Sequence, residues 1–354
     1  MNIQTLFNPF QYKNLILKNR FVMAPMTRAF AIDGIPSDAI TGYYERRAAG
    51  DVGLILTEGT VIDRPASKNL KDIPNFYGDQ ALDAWKNVVE AVHAKGGRIA
   101  PQIWHVGYTP MQWIPPATFE SPDTMTLTDI ESTIQAYATA AKSAKDLGFD
   151  AFEIHGAHGY LIDQFFWEGM NHRTDEFGGK SLKDRSKFAV EVVKAMRKAV
   201  GPDFVIILRL SQWKQQDYTV KLAPTPASME EWILPLVDAG VDIFHGSQRR
   251  YWEPEYDGSD LNFAGWLKKI SGQPTITVGS VGLDKDFGEV FTNSAFKSSP
   301  ASLDELVRRY ERGDFDLVAV GRAILQDPNW VKKVQTGKFE ELSTFEASSL
   351  GSLS

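Results

Sequence analysis

The chain has 354 residues, of which 43% are hydrophobic and 23% are charged, and its formal net charge at pH 7 is −7. This length fits two ordinary domains or one large α/β barrel, and the composition is that of a globular protein with an ample core. An acidic chain with no evident basic face argues against nucleic acid or anionic membranes as main partners. Because cysteine is absent, disulfides, thiolate zinc sites and cysteine-ligated iron–sulfur clusters are excluded.

The N-terminal residues 1–6 lack the positive and apolar regions of a signal peptide. No apolar run approaches the roughly 20 residues that span a membrane. We therefore expect a cytoplasmic protein, and the sequence leaves open whether it is a monomer or a homodimer.

Short apolar or β-branched runs then alternate with longer amphipathic stretches, which is the pattern of parallel strands joined by helices. The runs interpreted as strands are residues 21–26, 52–60, 98–105, 150–157, 204–211, 241–247, 274–281 and 316–324. Helices are predicted between them, for example over residues 80–95, 128–147, 182–200, 228–239 and 302–312. Strand–helix units repeated in this way predict an α/β fold, a single (β/α)8 TIM barrel, whose reactive groups lie at the C-terminal ends of the strands.

We expect one domain over residues 1–354, with the barrel core at about 20–336 and a poorly ordered polar tail over 340–354. Three loops on the reactive face are longer than ordinary strand–helix connections, and such loops are often lids or substrate walls. They are residues 106–126, 212–225 and 248–260. The third loop contains aromatic and acidic side chains, which fit a substrate wall and a loop packed on its own aromatics equally well.

Two histidines and a tyrosine are crowded around two glycines directly after the fourth predicted strand, at His155, His158 and Tyr160. Glycines at a strand end indicate a sharp turn or a backbone that lies against a ligand. If the chain turns there, both histidines can donate hydrogen bonds to one oxygen, and the tyrosine can supply a proton. A lone histidine at a strand end is more often structural, so the location of this cluster at the barrel mouth carries the argument.

Familiar nucleotide and hydrolase signatures are disfavoured. Gly179-Lys180-Ser181 resembles the end of a P-loop, but Thr174 occupies the position of the required earlier glycine. Polar or glycine residues instead occur at the other predicted strand ends, namely at Thr27, Glu58, Gly59, Gln102, His105, Arg209, Gly279, Ser280, Gly321 and Arg322. The glycines after strands seven and eight, together with the arginine, match the place where this fold commonly binds phosphate.

The motif around the histidines resembles the hallmark of the old yellow enzyme family. It reads His155-Gly-Ala-His158-Gly-Tyr160 and is followed by Asn171-His-Arg-Thr-Asp-Glu-Phe-Gly-Gly179. The likeness extends from Leu6 to Asn329 and so covers nearly the whole chain except the tail. It implies a TIM barrel that holds FMN non-covalently, with NADPH or NADH as hydride donor and an activated alkene as acceptor.

The resemblance also implies roles for single residues. The cofactor-binding positions are Pro25, Met26, Thr27, Gly59, Gln102 and Arg209 for the flavin ring, and Gly279, Ser280, Gly321 and Arg322 for the phosphate. His155 and His158, the His/His form of the family's pair, would bind the substrate oxygen, and Tyr160 would protonate the α-carbon. Trp104 would shape the substrate pocket, although an aromatic side chain there fits core packing equally well.

Other interpretations remain open at this point. His155 and His158 could hold zinc together with His105 or His245 in a metal-dependent lyase or hydrolase. The chain could also be a flavin-binding sensor without physiological turnover. Arg249 and Arg250 could bind the 2′-phosphate of NADPH, or could form an ordinary solvated loop.

Overall fold

The computed structural model describes residues 2–109, 119–288, 290 and 293–354. Within these residues, eight parallel strands close into a barrel in which each strand pairs with its neighbours along the chain, and the last strand pairs with the first. The strands are Phe21–Met23 (β1), Leu54–Val61 (β2), Ile99–Trp104 (β3), Ala151–His158 (β4), Val205–Lys214 (β5), Ile243–Ser247 (β6), Thr275–Val278 (β7) and Leu317–Val320 (β8). The predicted TIM barrel is confirmed.

Helices lie between the strands and cover the barrel. They are Asp38–Ala49 (α1), Asp79–Ala94 (α2), Leu127–Asp146 (α3), Leu161–Phe166 (α4), Leu182–Arg185 (α5), Lys187–Val200 (α6), Pro226–Ala239 (α7), Phe263–Ser271 (α8), Asp304–Arg312 (α9), Arg322–Gln326 (α10) and Trp330–Gln335 (α11). The five helices named from the sequence are present, but the one predicted over 182–200 is interrupted at Ser186. Capping boxes at Thr126 and Thr225 begin α3 and α7.

The inside of the barrel is filled by a separate apolar layer of small and branched side chains, including Val22, Leu56 and Ile207. A hairpin formed by Phe10–Tyr12 and Leu15–Leu17 packs against this layer and closes the N-terminal end of the barrel. The opposite, C-terminal end is therefore the open mouth, where strand ends can meet a ligand.

The C-terminal tail differs from the poorly ordered segment that we expected. Phe345–Glu346 pairs with Lys297–Ser298 in a short antiparallel ladder, and the Phe345 ring is fully buried. Arg28 also donates hydrogen bonds to backbone carbonyls of residues 349, 350 and 352. The polar composition of the tail suggested disorder. One buried aromatic side chain and a short backbone ladder are enough to anchor the segment, and composition does not reveal them.

The three long loops have different structures. Residues 110–118 of the first loop lie outside the described residues. The second loop begins later than predicted, because β5 continues to Lys214. In the third, Tyr251 and Tyr256 are buried, and Tyr256 packs edge-on against Trp266 of α8, which favours the reading of a loop packed on its own aromatics. Within the described parts of the chain, no helix combines the length and apolar character needed to cross a bilayer.

Candidate active site at the barrel mouth

The chain turns sharply at the end of β4. His158 and Gly159 both adopt positive φ angles, +66° and +80°, which glycine tolerates easily and histidine only when its surroundings hold it there. The His158 N–H donates to Ser211 Oγ at 2.8 Å, and the Gly159 N–H donates to Asp163 Oδ2 at 2.6 Å. These bonds fix the turn that the glycines in the sequence indicated.

This turn brings the three predicted catalytic side chains together. The ring centroid of His155 lies 5.2 Å from that of His158 and 4.9 Å from that of Tyr160, with both neighbours roughly perpendicular to it. Trp104, at the end of β3, stacks on His155 at 5.7 Å and meets the Tyr160 ring edge-on at 4.7 Å. The four aromatic rings therefore form one wall of the mouth.

Both histidines lie in an environment that favours the neutral form. Burial lowers the pKa of His155 well below its usual range, and the positive charge of Arg209 lowers it further. The pKa of His158 is lowered well below its usual range by the same two causes in the same order. Since a neutral imidazole has one N–H donor and one bare nitrogen, each ring can donate one hydrogen bond.

The tyrosine hydroxyl is held from one side by a residue that the sequence did not suggest. Gln215 Nε2 donates to Tyr160 Oη at 2.8 Å, so the oxygen accepts this bond and its own hydrogen stays available to another partner. Burial raises the pKa of Tyr160, while the Gln215 hydrogen bond and the charge of Arg209 act in the opposite direction. The raised pKa favours a neutral phenol whose hydroxyl hydrogen is free for a ligand.

Trp213 and Ser247 were also missed from the sequence. The Trp213 ring stacks on His158 at 4.5 Å with an interplanar angle of 22°, and Tyr218 stacks on Trp213 at 5.4 Å. Ser247 Oγ lies 2.8 Å from His158 Nε2. Both residues occur at strand ends, where polar groups converge, and this was the only signal in the sequence that could have pointed to them.

A second network lies deeper in the mouth around Glu153, which is fully buried. Gln102 Nε2 donates to Glu153 Oε1 at 2.7 Å, and His245 Nδ1 lies 2.6 Å from Glu153 Oε2. The nitrogen of the Gln102 amide is therefore engaged, and its oxygen is left to accept a hydrogen bond. Arg209 pairs in register with His155 on one side and His245 on the other, so its guanidinium belongs to the same layer.

Arg209 has the character of a cofactor ligand. It is only 7% exposed, and its Nε has no partner among the described residues. Burial lowers its pKa, and Glu153 counteracts this effect. A buried guanidinium with an unpaired donor costs free energy unless something accepts from it, which fits an oxygen- and nitrogen-rich ring such as a flavin.

The residues predicted at the β1 and β2 ends lie on the same rim. Pro25 is buried, Met26 is half-buried and Thr27 is exposed. A Cβ added at Gly59 would lie 2.3 Å from the Trp104 ring, so Trp104 by itself requires this glycine. The packing of the aromatic wall thus accounts for Gly59, whether or not its backbone also touches a ligand.

The predicted phosphate-binding residues follow two neighbouring strands, since β7 pairs with β8. Arg322 Nη2 donates to Ser280 Oγ at 3.3 Å and to the Lys285 carbonyl at 2.6 Å. A Cβ added at Gly321 would make only ordinary contact, 3.4 Å from Met26 Sδ. A guanidinium next to Ser280, close to Gly279 and Gly321, fits an anionic group.

Two alternatives from the sequence lose support. Among the residues that the structure describes, no three His, Asp or Glu side chains are grouped so that they could hold a metal ion. His105 instead lies with Nε2 2.6 Å from Glu120 Oε2, and His245 is engaged with Glu153. The other alternative is that Arg249 and Arg250 bind the 2′-phosphate of NADPH. Both arginines form ion pairs with Asp286, so their charges are already partly compensated.

The loop over residues 171–179, the second part of the sequence motif, is tied to neighbouring segments by hydrogen bonds. Arg173 Nη1 donates to the carbonyls of Pro122 and Met125 at 2.5 and 2.6 Å. Asn171 Nδ2 donates to the Phe165 and Phe177 carbonyls at 2.8 and 2.9 Å. These bonds join the loop after β4 to the end of the first long loop.

A (β/α)8 barrel whose mouth combines a buried cation with a donor left unpaired among the described residues, an arginine close to two glycines and a wall of aromatic side chains fits an oxidoreductase of the flavin-dependent class. A model of the NADH:flavin oxidoreductase / NADH oxidase family matches residues 5–296. The chain belongs to this family, the old yellow enzyme family, and is an oxidoreductase that uses FMN and a nicotinamide cofactor. The resemblance that the sequence motif indicated is confirmed.

Curated relatives agree with this assignment. The chain is 31% identical to 12-oxophytodienoate reductase 7 of Oryza sativa subsp. japonica over 93% of its own length and 87% of that protein. It is 33% identical to the NADH oxidase of Thermoanaerobacter brockii over 95% of its own length, but spans only 52% of that longer protein.

Solved structures agree as well. Morphinone reductase aligns with a TM-score of 0.76 and 28% identity, over 98% of this chain and 92% of that one. The same enzyme in complex with tetrahydroNAD aligns with a TM-score of 0.78 and 27% identity, over 98% of this chain and 93% of that one.

Proposed function

We propose that the chain is an ene-reductase that reduces α,β-unsaturated carbonyl or nitro compounds. His155 and His158 bind the substrate oxygen, and Tyr160 donates the proton. The observation that carries this proposal is the grouping of the His155, His158 and Tyr160 rings in one cluster at the barrel mouth, where burial favours neutral imidazoles and a neutral phenol. Bound FMN, once reduced by NADH or NADPH, supplies a hydride for the β-carbon.

The residues that would hold FMN are those that the family resemblance implies. Thr27, Gly59, Gln102 and Arg209, with Pro25 and Met26 beside them, would contact the ring, and Gly279, Ser280, Gly321 and Arg322 would hold the phosphate. The unpaired Nε of buried Arg209 and the free amide oxygen of Gln102 support the first set. The Arg322 guanidinium beside Ser280 supports the second.

The two histidines act on the substrate by withdrawing electron density. Hydrogen bonds from two neutral imidazoles polarise the carbonyl or nitro group and make its β-carbon more electrophilic. Negative charge then develops on the same oxygen, so these bonds strengthen as the reaction proceeds. Because burial and Arg209 keep both rings neutral, they act as donors of fixed geometry and do not transfer protons themselves.

Tyr160 supplies the proton from its free hydroxyl hydrogen. Gln215 donates to the same oxygen, so it stabilises the negative charge that forms on Oη as the proton leaves for the α-carbon. Trp104, packed on both His155 and Tyr160, keeps the two rings at a fixed separation and forms the side wall of the substrate pocket.

The test is purification with FMN followed by two separate half-reactions. Bound flavin should lose its visible absorbance with NADH or NADPH, and a panel of enals, cyclic enones, maleimides and nitroalkenes should restore it. A matched control is the double variant His155→Ala/His158→Ala, which should keep the first half-reaction and lose most of the second. If every alkene restores the absorbance no faster than oxygen does, the proposal is wrong, and a flavin-binding protein without alkene turnover describes the chain better.

A further inference from the structure

The His158 ring has a hydroxyl at one of its nitrogens and an indole stacked on the ring, so one nitrogen is left for a substrate. Its Nε2 lies 2.8 Å from Ser247 Oγ, and its face is covered by Trp213. Ser247 is the last residue of β6 and is 3% exposed. Since Nε2 is occupied, Nδ1 is the nitrogen of His158 that remains for a ligand at the barrel mouth.

The direction of the Ser247 hydrogen bond follows from the partners that its hydroxyl has. Arg209 Nη2 lies 3.5 Å from the same Oγ, a long contact in which the guanidinium can only donate. The hydroxyl hydrogen therefore needs an acceptor elsewhere, and His158 Nε2 is the acceptor that the described residues place within reach. Since a buried donor without an acceptor costs free energy, the favoured arrangement has the hydroxyl donating to a bare Nε2.

We propose that Ser247 is a positioning residue that fixes His158 in the tautomer with hydrogen on Nδ1, so that His158 can donate to the substrate oxygen. In the other tautomer a bare Nδ1 would meet a carbonyl or nitro oxygen, and two acceptors would repel each other. The inference rests on the proposed function for its consequence, although the tautomer itself can be measured without any substrate.

A purely structural role for Ser247 can be separated from this one. Trp213 Nε1 donates to the Ser247 carbonyl oxygen at 3.3 Å, a backbone contact that survives a change of side chain. Ser247→Ala removes only the hydroxyl and leaves Trp213 stacked on His158. Ser247→Thr keeps a hydroxyl and is the matched control.

The decisive experiment is NMR of the FMN-loaded protein labelled with ¹⁵N-histidine. The chain has six histidines, and loss of one signal set in His158→Asn assigns that ring. The wild type and Ser247→Thr should show His158 with a protonated Nδ1 and a bare Nε2. Ser247→Ala should show the other tautomer or a mixture, while His155, whose Nδ1 has no hydroxyl partner among the described residues, should stay unchanged.

A binding measurement provides the second readout. We expect Ser247→Ala to weaken the binding of a cyclic enone or a phenol by roughly five- to tenfold, as for one lost hydrogen bond. Ser247→Thr should bind these compounds with most of the wild-type affinity. An unchanged His158 tautomer in Ser247→Ala, or a protonated Nε2 in the wild type, overturns the inference. A protein that reduces no alkene but loses the Nδ1–H form in Ser247→Ala refutes the proposed function and supports the tautomer assignment.

Discussion

The ammonium group of Lys214 lies 2.7 Å from the carboxylate of Asp163, and both side chains are completely buried. Asp163 belongs to α4 and also accepts from the Gly159 N–H, whereas Lys214 ends β5. The ion pair therefore joins two elements directly beneath the turn that carries His158 and Tyr160. The shape of the turn that carries His158 and Tyr160 thus depends on a fully buried charge pair.

Removing one member of this pair should be costly. Lys214→Met leaves the Asp163 carboxylate buried without a counter-charge, so we expect the free energy of unfolding to fall by about 3–5 kcal/mol. Urea denaturation measures this change. The double variant Asp163→Asn/Lys214→Met contains no charge, and it should recover part of the loss. Equal destabilisation by the single and double variants would contradict the role of the unpaired charge.

The proton-donor assignment predicts a selective defect. Tyr160→Phe keeps the ring that packs on Trp104 and His155 but removes the hydroxyl, so alkene reduction should fall by about 10²-fold or more. Flavin reduction by NADH or NADPH should stay within a few-fold of wild type, because no proton from Tyr160 is needed there. Stopped-flow absorbance separates the two half-reactions. Alkene turnover equal to wild type would show that another group supplies the proton.

The oxygen-binding pair predicts a graded loss of affinity. His155→Ala and His158→Ala each remove one hydrogen-bond donor. Each variant should bind a phenol or cyclic enone roughly 5–30-fold more weakly, corresponding to about 1–2 kcal/mol of binding free energy. Titration of the flavin spectrum measures the dissociation constants. His105→Ala removes a histidine that contacts Glu120 instead, so it serves as a control with little effect on affinity. Equal effects from all three variants would mean that the changes act through general destabilisation.

The barrel and the reactive motif could be predicted from sequence because both are local. Each strand is a short apolar run, and His155, His158 and Tyr160 lie within six residues of one another. The structure contains all eight predicted strands, but some of the predicted ends were wrong. Strands β1, β7 and β8 end early, at Met23, Val278 and Val320, and residues 322–324 belong to α10 instead. Strand β5 extends three residues beyond its predicted end, to Lys214. That extension was missed because Gln212 and Lys214 are polar yet buried, and so do not look like part of a strand.

The partners that tune the motif could not be predicted, because they come from other strands. Trp213, Gln215 and Ser247 reach His158 and Tyr160 only when β4, β5 and β6 lie side by side. Their positions depend on register, including the irregularity between Gly156 and His158 in the β4–β5 pairing. A single sequence contains no signal for such a register shift.

Glu58, a buried carboxylate within β2, predicts a measurable pH dependence of stability. Glu58 Oε2 accepts from the backbone N–H groups of Arg28 and Ala29, both at 2.9 Å, directly after the predicted flavin contact Thr27. Its Oε1 has no partner among the described residues. Burial raises the pKa of Glu58 from 4.5 to about 7, despite these two backbone hydrogen bonds.

The sign of the effect on stability follows from proton uptake. Between pH 4.5 and about 7 the folded protein keeps Glu58 protonated while the unfolded chain ionises it, so the folded state binds more protons. The stabilising contribution of Glu58 is complete below pH 4.5 and is lost as the pH rises through 7, by about 3 kcal/mol in total. Glu58→Gln keeps the acceptor for Arg28 and Ala29 but cannot ionise. In urea denaturation, the free energy of unfolding of the wild type should therefore fall relative to that of Glu58→Gln between pH 4.5 and 7. Above pH 8 the difference between the two proteins should stay constant. A constant difference over the whole range from pH 4.5 to 8 would show that Glu58 does not titrate there.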